Sequence, residues 1–152
     1  MLRLIPPIHR ATHRIGLYLA TLGDRSLSQG EAHILAMLAP TGTATMADLH
    51  KGLAHKRSTL TSIVDRLVDR RFVTRHVGEV DRRTFVVTLT AEGRKVAREV
   101  LHRLTDLERA VNAHVSTDDV RGFLAVIAAV EKEAHERGAR RSKDRGRITP
   151  RA

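Results

Sequence analysis

The sequence predicts a mainly α-helical fold with a small β-hairpin wing, a winged helix-turn-helix set between N- and C-terminal helices. Three observations predict it. Apolar residues recur at helical spacing over most of the 152 residues. Between Val73 and Leu89 the period changes to two, around a turn that carries Asp81-Arg82-Arg83. Hydrophobic content is 41% but aromatics only 3%, with no Trp, so the core rests on Leu, Val, Ile and Ala.

Each element follows in order. After Pro6-Pro7, the residues Ile8, Ala11, Ile15, Leu19 and Leu22 mark a first helix over about 7–22, stopped by Gly23. Ser28-Gln29-Gly30-Glu31 has the form of a capping box, in which hydroxyl and carboxylate satisfy the amides a helix start leaves unpaired. The second helix then runs to about Leu38, ending near Pro40. Thr45 caps a short third helix from Met46 to about Leu53, with Asp48 in the first turn, where the helix dipole favours an anion. A fourth helix turns Leu60, Ile63, Val64 and Leu67 inward and leaves Arg57, Thr61, Ser62, Asp65 and Arg66 outside. Along it, Asp65 and Asp69 are expected to pair with Arg66 and Arg70. Two helices so short, joined around Ala54, predict a helix-turn-helix.

Val73, Arg75 and Val77 then share one face, and past Gly78 so do Phe85, Val87 and Leu89, which predicts a β-hairpin. Thr90 caps a long helix from Ala91 to about Val115, with Val96, Val100, Leu104, Leu107 and Val111 in one stripe. Such a helix is roughly 35 to 40 Å long, more than a globule of this size covers alone. Its apolar stripe therefore needs a partner. Ser116, with Asp119 three residues on, opens the last helix, whose apolar face is Val120, Phe123, Leu124, Ile127 and Val130, up to Gly138. Residues 139–152 have no apolar periodicity and are expected to form a disordered basic tail. Residues 1–138 thus make one functional unit, with the helix-turn-helix and wing at about 45–89.

The net charge is +10, and its position matters more than its size. Residues 44–88 hold nine Lys or Arg against five Asp or Glu, residues 137–152 hold seven against one, and the remainder balances. Basic charge gathered on a helix-wing segment and a tail is the footprint of a polyanion binder. Other classes find less support. The chain has no Cys, so disulfides and Cys-based zinc sites are excluded, and the composition fits a reducing cytoplasm. No apolar run approaches the roughly 18 to 20 residues of a membrane span, so no membrane partner is expected. Ser58 and Thr59 lack a His and a carboxylate in any nucleophile motif, and no Gly-rich loop could cradle a phosphate, so an enzyme is not expected. Of the nine His, only His9 and His13 stand one turn apart, with no carboxylate beside them, and no metal or cofactor is expected.

The segments RSTLTSIVDRLVDRR and DRRTFVVTLTAEG resemble the MarR family of winged-helix transcription regulators over roughly residues 5–138. The most specific part is Val73-Thr74-Arg75, then Asp81-Arg82-Arg83, then Val87-Thr88-Leu89-Thr90 with Gly93. The resemblance implies a homodimer held by the helices at about 7–22 and 91–138, with a helix in each of two successive major grooves of double-stranded DNA. Two-fold symmetry then asks for a palindromic operator with half-sites about one helical turn apart. It implies DNA contacts from Lys56, Arg57, Ser58, Thr59, Thr61, Ser62, Arg75, Arg82 and Arg83, with Arg82 in the narrow minor groove and Asp81 shaping the wing. It further implies a repressor released by a small-molecule effector in a cleft between helices one, two and five, with Tyr18 and His33 as the polar side chains to consider. A non-specific architectural DNA-binding protein and a metal-responsive regulator are the alternatives.

The chain departs from the family pattern in ways with physical consequences. Lys56 replaces a usual Asp before the fourth helix, adding charge and removing a cap, and Ser62 stands where an Arg is common. Arg71 replaces a usual Gly and lacks its free access to the left-handed conformation. The wing tip is Gly78-Glu79-Val80, where Glu79 weakens phosphate contact.

Overall fold

The computed structural model describes residues 2–20, 26–53, 56–78 and 84–145. The elements are α1 (Ile5–Ala20), α2 (Gln29–Leu38), β1 (Thr43–Thr45), α3 (Met46–Leu53), α4 (Arg57–Asp69), β2 (Val73–Val77), β3 (Phe85–Leu89), α5 (Ala91–Asn112) and α6 (Thr117–Arg145). They fall into two compact units, Met1–Leu107 and Glu108–Ala152.

The first unit holds the core. Leu19 of α1, Ile34, Leu35 and Leu38 of α2, Leu49 of α3, Leu60, Val64 and Leu67 of α4, Val87 and Leu89 of β3 and Val96 and Val100 of α5 are all buried in one cluster. The inward faces expected of α4 and the first half of α5 are therefore the observed ones. In α1 the two prolines sit inside the first turn, where a missing amide costs nothing. Residues 21–25, with the expected stop at Gly23, lie outside the described residues.

In the first unit three of the expected helix starts are capped. Ser28 Oγ accepts from the Glu31 amide at 3.3 Å while Glu31 Oε2 accepts from the Ser28 amide at 2.7 Å, completing the capping box. Thr45 and Asp48 repeat that exchange at α3, the Asp48 amide reaching Thr45 Oγ1 at 3.0 Å. Hydrogen bonds from the Thr45 hydroxyl and amide hold the Asp48 carboxyl below the ordinary carboxylate range. At α5, Thr90 Oγ1 accepts from the Gly93 amide at 2.9 Å. It also donates to the Arg71 carbonyl at 2.7 Å, so the start of α5 is tied to the loop after α4.

The expected hairpin is present, and β1 joins it as a third strand. The sheet has three strands in the order β1-β3-β2, all antiparallel, with Thr43 opposite Thr88 and Val73 opposite Leu89. Toward the tip of the β2–β3 hairpin, burial is lost: the cross-strand pair Val77 and Phe85 is 46% and 49% exposed. Projection away from the core, not a break in alternation, is the reason.

The end of α4 explains how Arg71 stands in for glycine. The Arg71 amide donates to the Val68 carbonyl at 2.8 Å and the Phe72 amide to the Leu67 carbonyl at 2.9 Å, the paired bonds of a Schellman motif. Arg71 takes φ 59°, the only positive φ outside glycine among the described residues. Buried Leu67 and Phe72 supply the apolar contact that usually accompanies this motif.

In the second unit α5 ends at Asn112, three residues short of the expected limit, and Ser116 with Asp119 caps α6 through bonds of 2.6 to 3.2 Å. The expectation that regular structure ends at 138 is corrected, because α6 continues to Arg145. Glu133–Arg137 and Glu136–Arg140 ion pairs one turn apart support this stretch, and basic residues at a helix C-terminus are favoured by its dipole. Residues 146–152 lie outside the described ones.

Candidate nucleic-acid interface

The N-terminal end of α4 is built to be approached. Lys56 is its N-cap, with extended backbone at φ −60° and ψ 145°, and makes no side-chain cap hydrogen bond. Arg57, Ser58 and Thr59 follow in the first turn, all exposed. A helix start without a side-chain cap, the positive end of the helix dipole and two adjacent cationic residues occur together there, an arrangement suited to phosphate oxygens. One turn on, Thr61 and Ser62 donate to the carbonyls of Arg57 and Ser58 at 3.0 and 3.1 Å. Each hydroxyl oxygen keeps lone pairs for an outside donor.

Arg75 is placed beside this helix by β2 but is already engaged. Its Nη1 lies 3.0 Å from Asp65 Oδ1, and its guanidinium carbon lies 5.5 Å from the Phe85 ring centroid. The expected Asp65–Arg66 and Asp69–Arg70 pairs are thus corrected. Asp65 pairs with Arg75, and Arg70 pairs with Glu31, because side chains adjacent in a helix do not face each other while the sheet and α2 offer partners. Between α3, α4 and the wing, Met46, Ala47, His50, Arg57, Leu60, Thr61, Arg75 and Phe85 line a recess of about 460 Å³. His50 and Phe85 were not among the expected site residues. Phe85 was readable only as one more strand residue, since period-two alternation does not tell where a hairpin leaves the core. Asp81, Arg82 and Arg83, expected to read or shape the minor-groove contact, lie outside the described residues.

Tyr18 and His33 do not share a cleft. His33 is half-buried on α2 and lines a cleft of about 680 Å³ with Thr12, Ser28, Gln29, Gly30, Leu53, Thr59, Ser62, Ile63 and Arg66. This cleft lies between α1, α2 and α4 and reaches the outward side chains Thr59 and Ser62. Tyr18 instead lines an open cleft of about 560 Å³ with Arg98, Glu99, His102, Arg103 and Asp106 of α5, and Arg103 stacks 5.7 Å from its ring centroid. Arg66 is the cation of the larger cleft, a residue the sequence placed on the outside without assigning it to a site. Among the described residues no three His, Asp or Glu side chains come together in a metal-binding group, and no helix is long and apolar enough to cross a membrane.

Comparison with known proteins agrees with this geometry. The MarR family model matches residues 27–85, from the start of α2 to the first residue of β3. Two Bacillus subtilis proteins described as uncharacterised HTH-type transcriptional regulators are similar over part of the chain. YwhA is 27% identical over 62% of this chain and 68% of its own length. YfiV is 34% identical over 52% of this chain and 53% of its own, so the chain spans about half the length of that relative. Among solved structures, a mutant MarR from E. coli complexed with operator DNA is 25% identical with a TM-score of 0.67, covering 84% of this chain and 91% of the other. AbsC, a MarR family transcriptional regulator from Streptomyces coelicolor, is 24% identical with a TM-score of 0.70, over 87% and 88%. PcaV from the same organism, solved with its natural ligand, is 21% identical with a TM-score of 0.69, over 86% and 91%. With its helix-turn-helix and the first strand of its wing matched in sequence and its fold matched over most of its length, the chain is similar to the MarR family of winged-helix transcription regulators.

Proposed function

We propose that this chain is a MarR-type transcription regulator that binds a palindromic operator as a homodimer, acts as a repressor, and is released from DNA by a small-molecule effector. The observation that carries the DNA reading is the exposed start of α4, where the N-cap Lys56 makes no side-chain cap and Arg57 follows it. Ser58, Thr59, Thr61 and Ser62 are then the side chains offered to base edges, and Arg75, Arg82 and Arg83 those offered by the wing. The homodimer is supported by apolar side chains left open on α5 and α6, among them Val111, Phe123 and Leu124. The effector is supported by the cleft beside His33, which shares Thr59 and Ser62 with the DNA-reading face, so an occupant there would compete with DNA.

The test is selection of duplexes from a random pool by the full chain, followed by affinity measurement against a random duplex at fixed salt. Recovery of an inverted repeat, with a preference over random DNA of at least about a thousandfold, is the expected result for a sequence-reading regulator. Equal affinity for selected and random duplexes would instead mean an architectural protein. On the selected duplex, Arg82→Ala is expected to lose more affinity than Arg151→Ala in the C-terminal tail. Equal losses would remove the wing contact from the proposal.

A further inference from the structure

We infer that Arg70, at the C-terminal end of α4, and Glu31, in the first turn of α2, form a clamp that sets the angle at which α4 presents its outward side chains to DNA. The inference rests on the DNA-binding reading above and adds two positioning residues that need not touch DNA.

Glu31 is the only buried charged residue among those described, 4% exposed. Its two carboxylate oxygens face different segments: Oε2 accepts from the Ser28 amide at 2.7 Å, and Oε1 from Arg70 Nη1 at 3.3 Å. The same Nη1 donates to the Ser26 carbonyl at 2.9 Å, and the guanidinium carbon lies 4.9 Å from the Phe72 ring centroid. One arginine thus ties the last turn of α4 to the strand entry after it and to the start of α2. Burial raises the Glu31 carboxyl, but hydrogen bonds from the Ser28 backbone and hydroxyl and the charge of Arg70 outweigh it, leaving it below its ordinary value. A folded value below the unfolded one means the link is at full strength at neutral pH and is lost only as acid protonates the carboxylate.

The two ends of α4 differ in the way a positioning role requires. Its C-terminal end is fixed twice, by the Schellman bonds and by Arg70, whereas its N-terminal reading end carries no side-chain cap. Thirteen residues make a lever roughly 20 Å long, so a tilt of about 5° at the clamp displaces the reading end by about 1.7 Å. That is enough to break a bidentate base contact, which needs heavy atoms within hydrogen-bond range. A displacement of that size leaves phosphate attraction, which depends weakly on angle, nearly intact.

The experiment compares the full chain with Glu31→Gln, Arg70→Met and Arg70→Lys on the selected duplex and on a random duplex at one salt concentration. Gln keeps the capping-box acceptor, so Glu31→Gln removes the charge without uncapping α2. The expected result is a fall of roughly tenfold or more in the ratio of selected to random affinity, with random affinity changed by less than about twofold. Arg70→Lys is expected to fall between the other two and the unaltered chain, since an ammonium can meet Glu31 but cannot stack flat on Phe72 while bonding Ser26. A structural role alone is separated by adding Arg71→Gly, which relieves the positive φ of the neighbouring residue without touching the clamp. If the double variant Glu31→Gln/Arg71→Gly regains discrimination, Glu31 merely holds the fold together and the inference is overturned. An unchanged ratio in both Glu31→Gln and Arg70→Met overturns it as well. Failure of the unaltered chain to select any sequence refutes the underlying reading instead, and the clamp falls with it.

Discussion

Leu60, Val64 and Leu67 of α4 are sealed from solvent, whereas Phe123 and Leu124 of α6 stand 58% and 59% exposed, although both helices carry apolar residues at the same spacing. The difference lies in what each helix has to lie against. Around α4, the chain supplies α2, α3 and β2, and all three pack on it. The last turn of α5, the link after it and α6 keep Val111, Val115, Phe123, Leu124 and Val126 open. An amphipathic pattern states that a face will be covered; it does not say by which chain. For the winged unit the cover is internal. For α6 the proposal is a second copy, because a run of large apolar side chains left in water favours association.

The largest expected effect falls on the closed region. A β-carbon on Gly93 would overlap the carbonyl oxygen of Phe72, a backbone atom held by the Thr90 amide and unable to move aside. Gly93→Ala is expected to destabilise the fold by about 3 kcal/mol or more, at the upper range of overpacking effects. Denaturant unfolding measures it, and a midpoint unchanged from the parent would show that α5 can shift away from the loop after α4.

The open region is tested by Leu124→Glu. In the lone chain this position is exposed, so the secondary structure and the winged unit should survive. In a two-fold dimer it places two carboxylates in an apolar seam, weakening association by about 3 kcal/mol, or roughly a hundredfold or more in dissociation constant. Sedimentation across a concentration series separates these outcomes. A variant that dimerises as tightly as the parent would remove this face of α6 from the proposed interface.

These two tests also mark what could be read in the sequence. The capping box at Ser28, the cap at Thr45, the inward face of α4 and the change of period at Val73 are local patterns, and the structure follows them. What escaped is non-local or too short to have a period. Thr43-Ala44-Thr45 becomes a strand only because Thr88, Val87 and Val86 lie opposite. Glu31 and Arg70 are 39 residues apart, and nothing in helical spacing joins them. Gly93 belongs to a recognisable signature, but the reason for glycine there is the approach of Phe72, visible only once the chain is folded. The basic segment after Gly138 was read by composition, which does not register the continuation of α6 to Arg145 or the Glu136–Arg140 pair within it.

Arg71 offers a smaller effect inside the closed region. A side chain at φ 59° carries a steric cost that glycine does not, and its exposed position leaves little to lose in contacts. Arg71→Gly is expected to stabilise the chain by about 1 kcal/mol, after part of the gain is offset by the added freedom of the unfolded state. A thermal midpoint that falls would mean that the Arg71 side chain contributes contacts outweighing its strain.

The smallest effect is expected at Lys56, where the closed region has been left open on one side. Its backbone already has the extended conformation of an N-cap, so a serine hydroxyl there could take up an amide of the next turn without rearrangement. Lys56→Ser is therefore expected to stabilise the chain by about 0.5 kcal/mol, the low end of capping effects. It should simultaneously weaken DNA binding, since it removes a cation and occupies an amide that a phosphate would use. If Lys56 neutralises one phosphate, the slope of log affinity against log salt falls by about 1 in magnitude, equally for selected and random duplexes. A stabilised variant with an unchanged salt slope would mean that Lys56 does not meet the DNA backbone. A loss confined to the selected duplex would make it a base-reading residue. The predicted pattern, firmer folding with weaker binding, is what distinguishes a helix end left uncapped for a ligand from one left uncapped by accident of sequence.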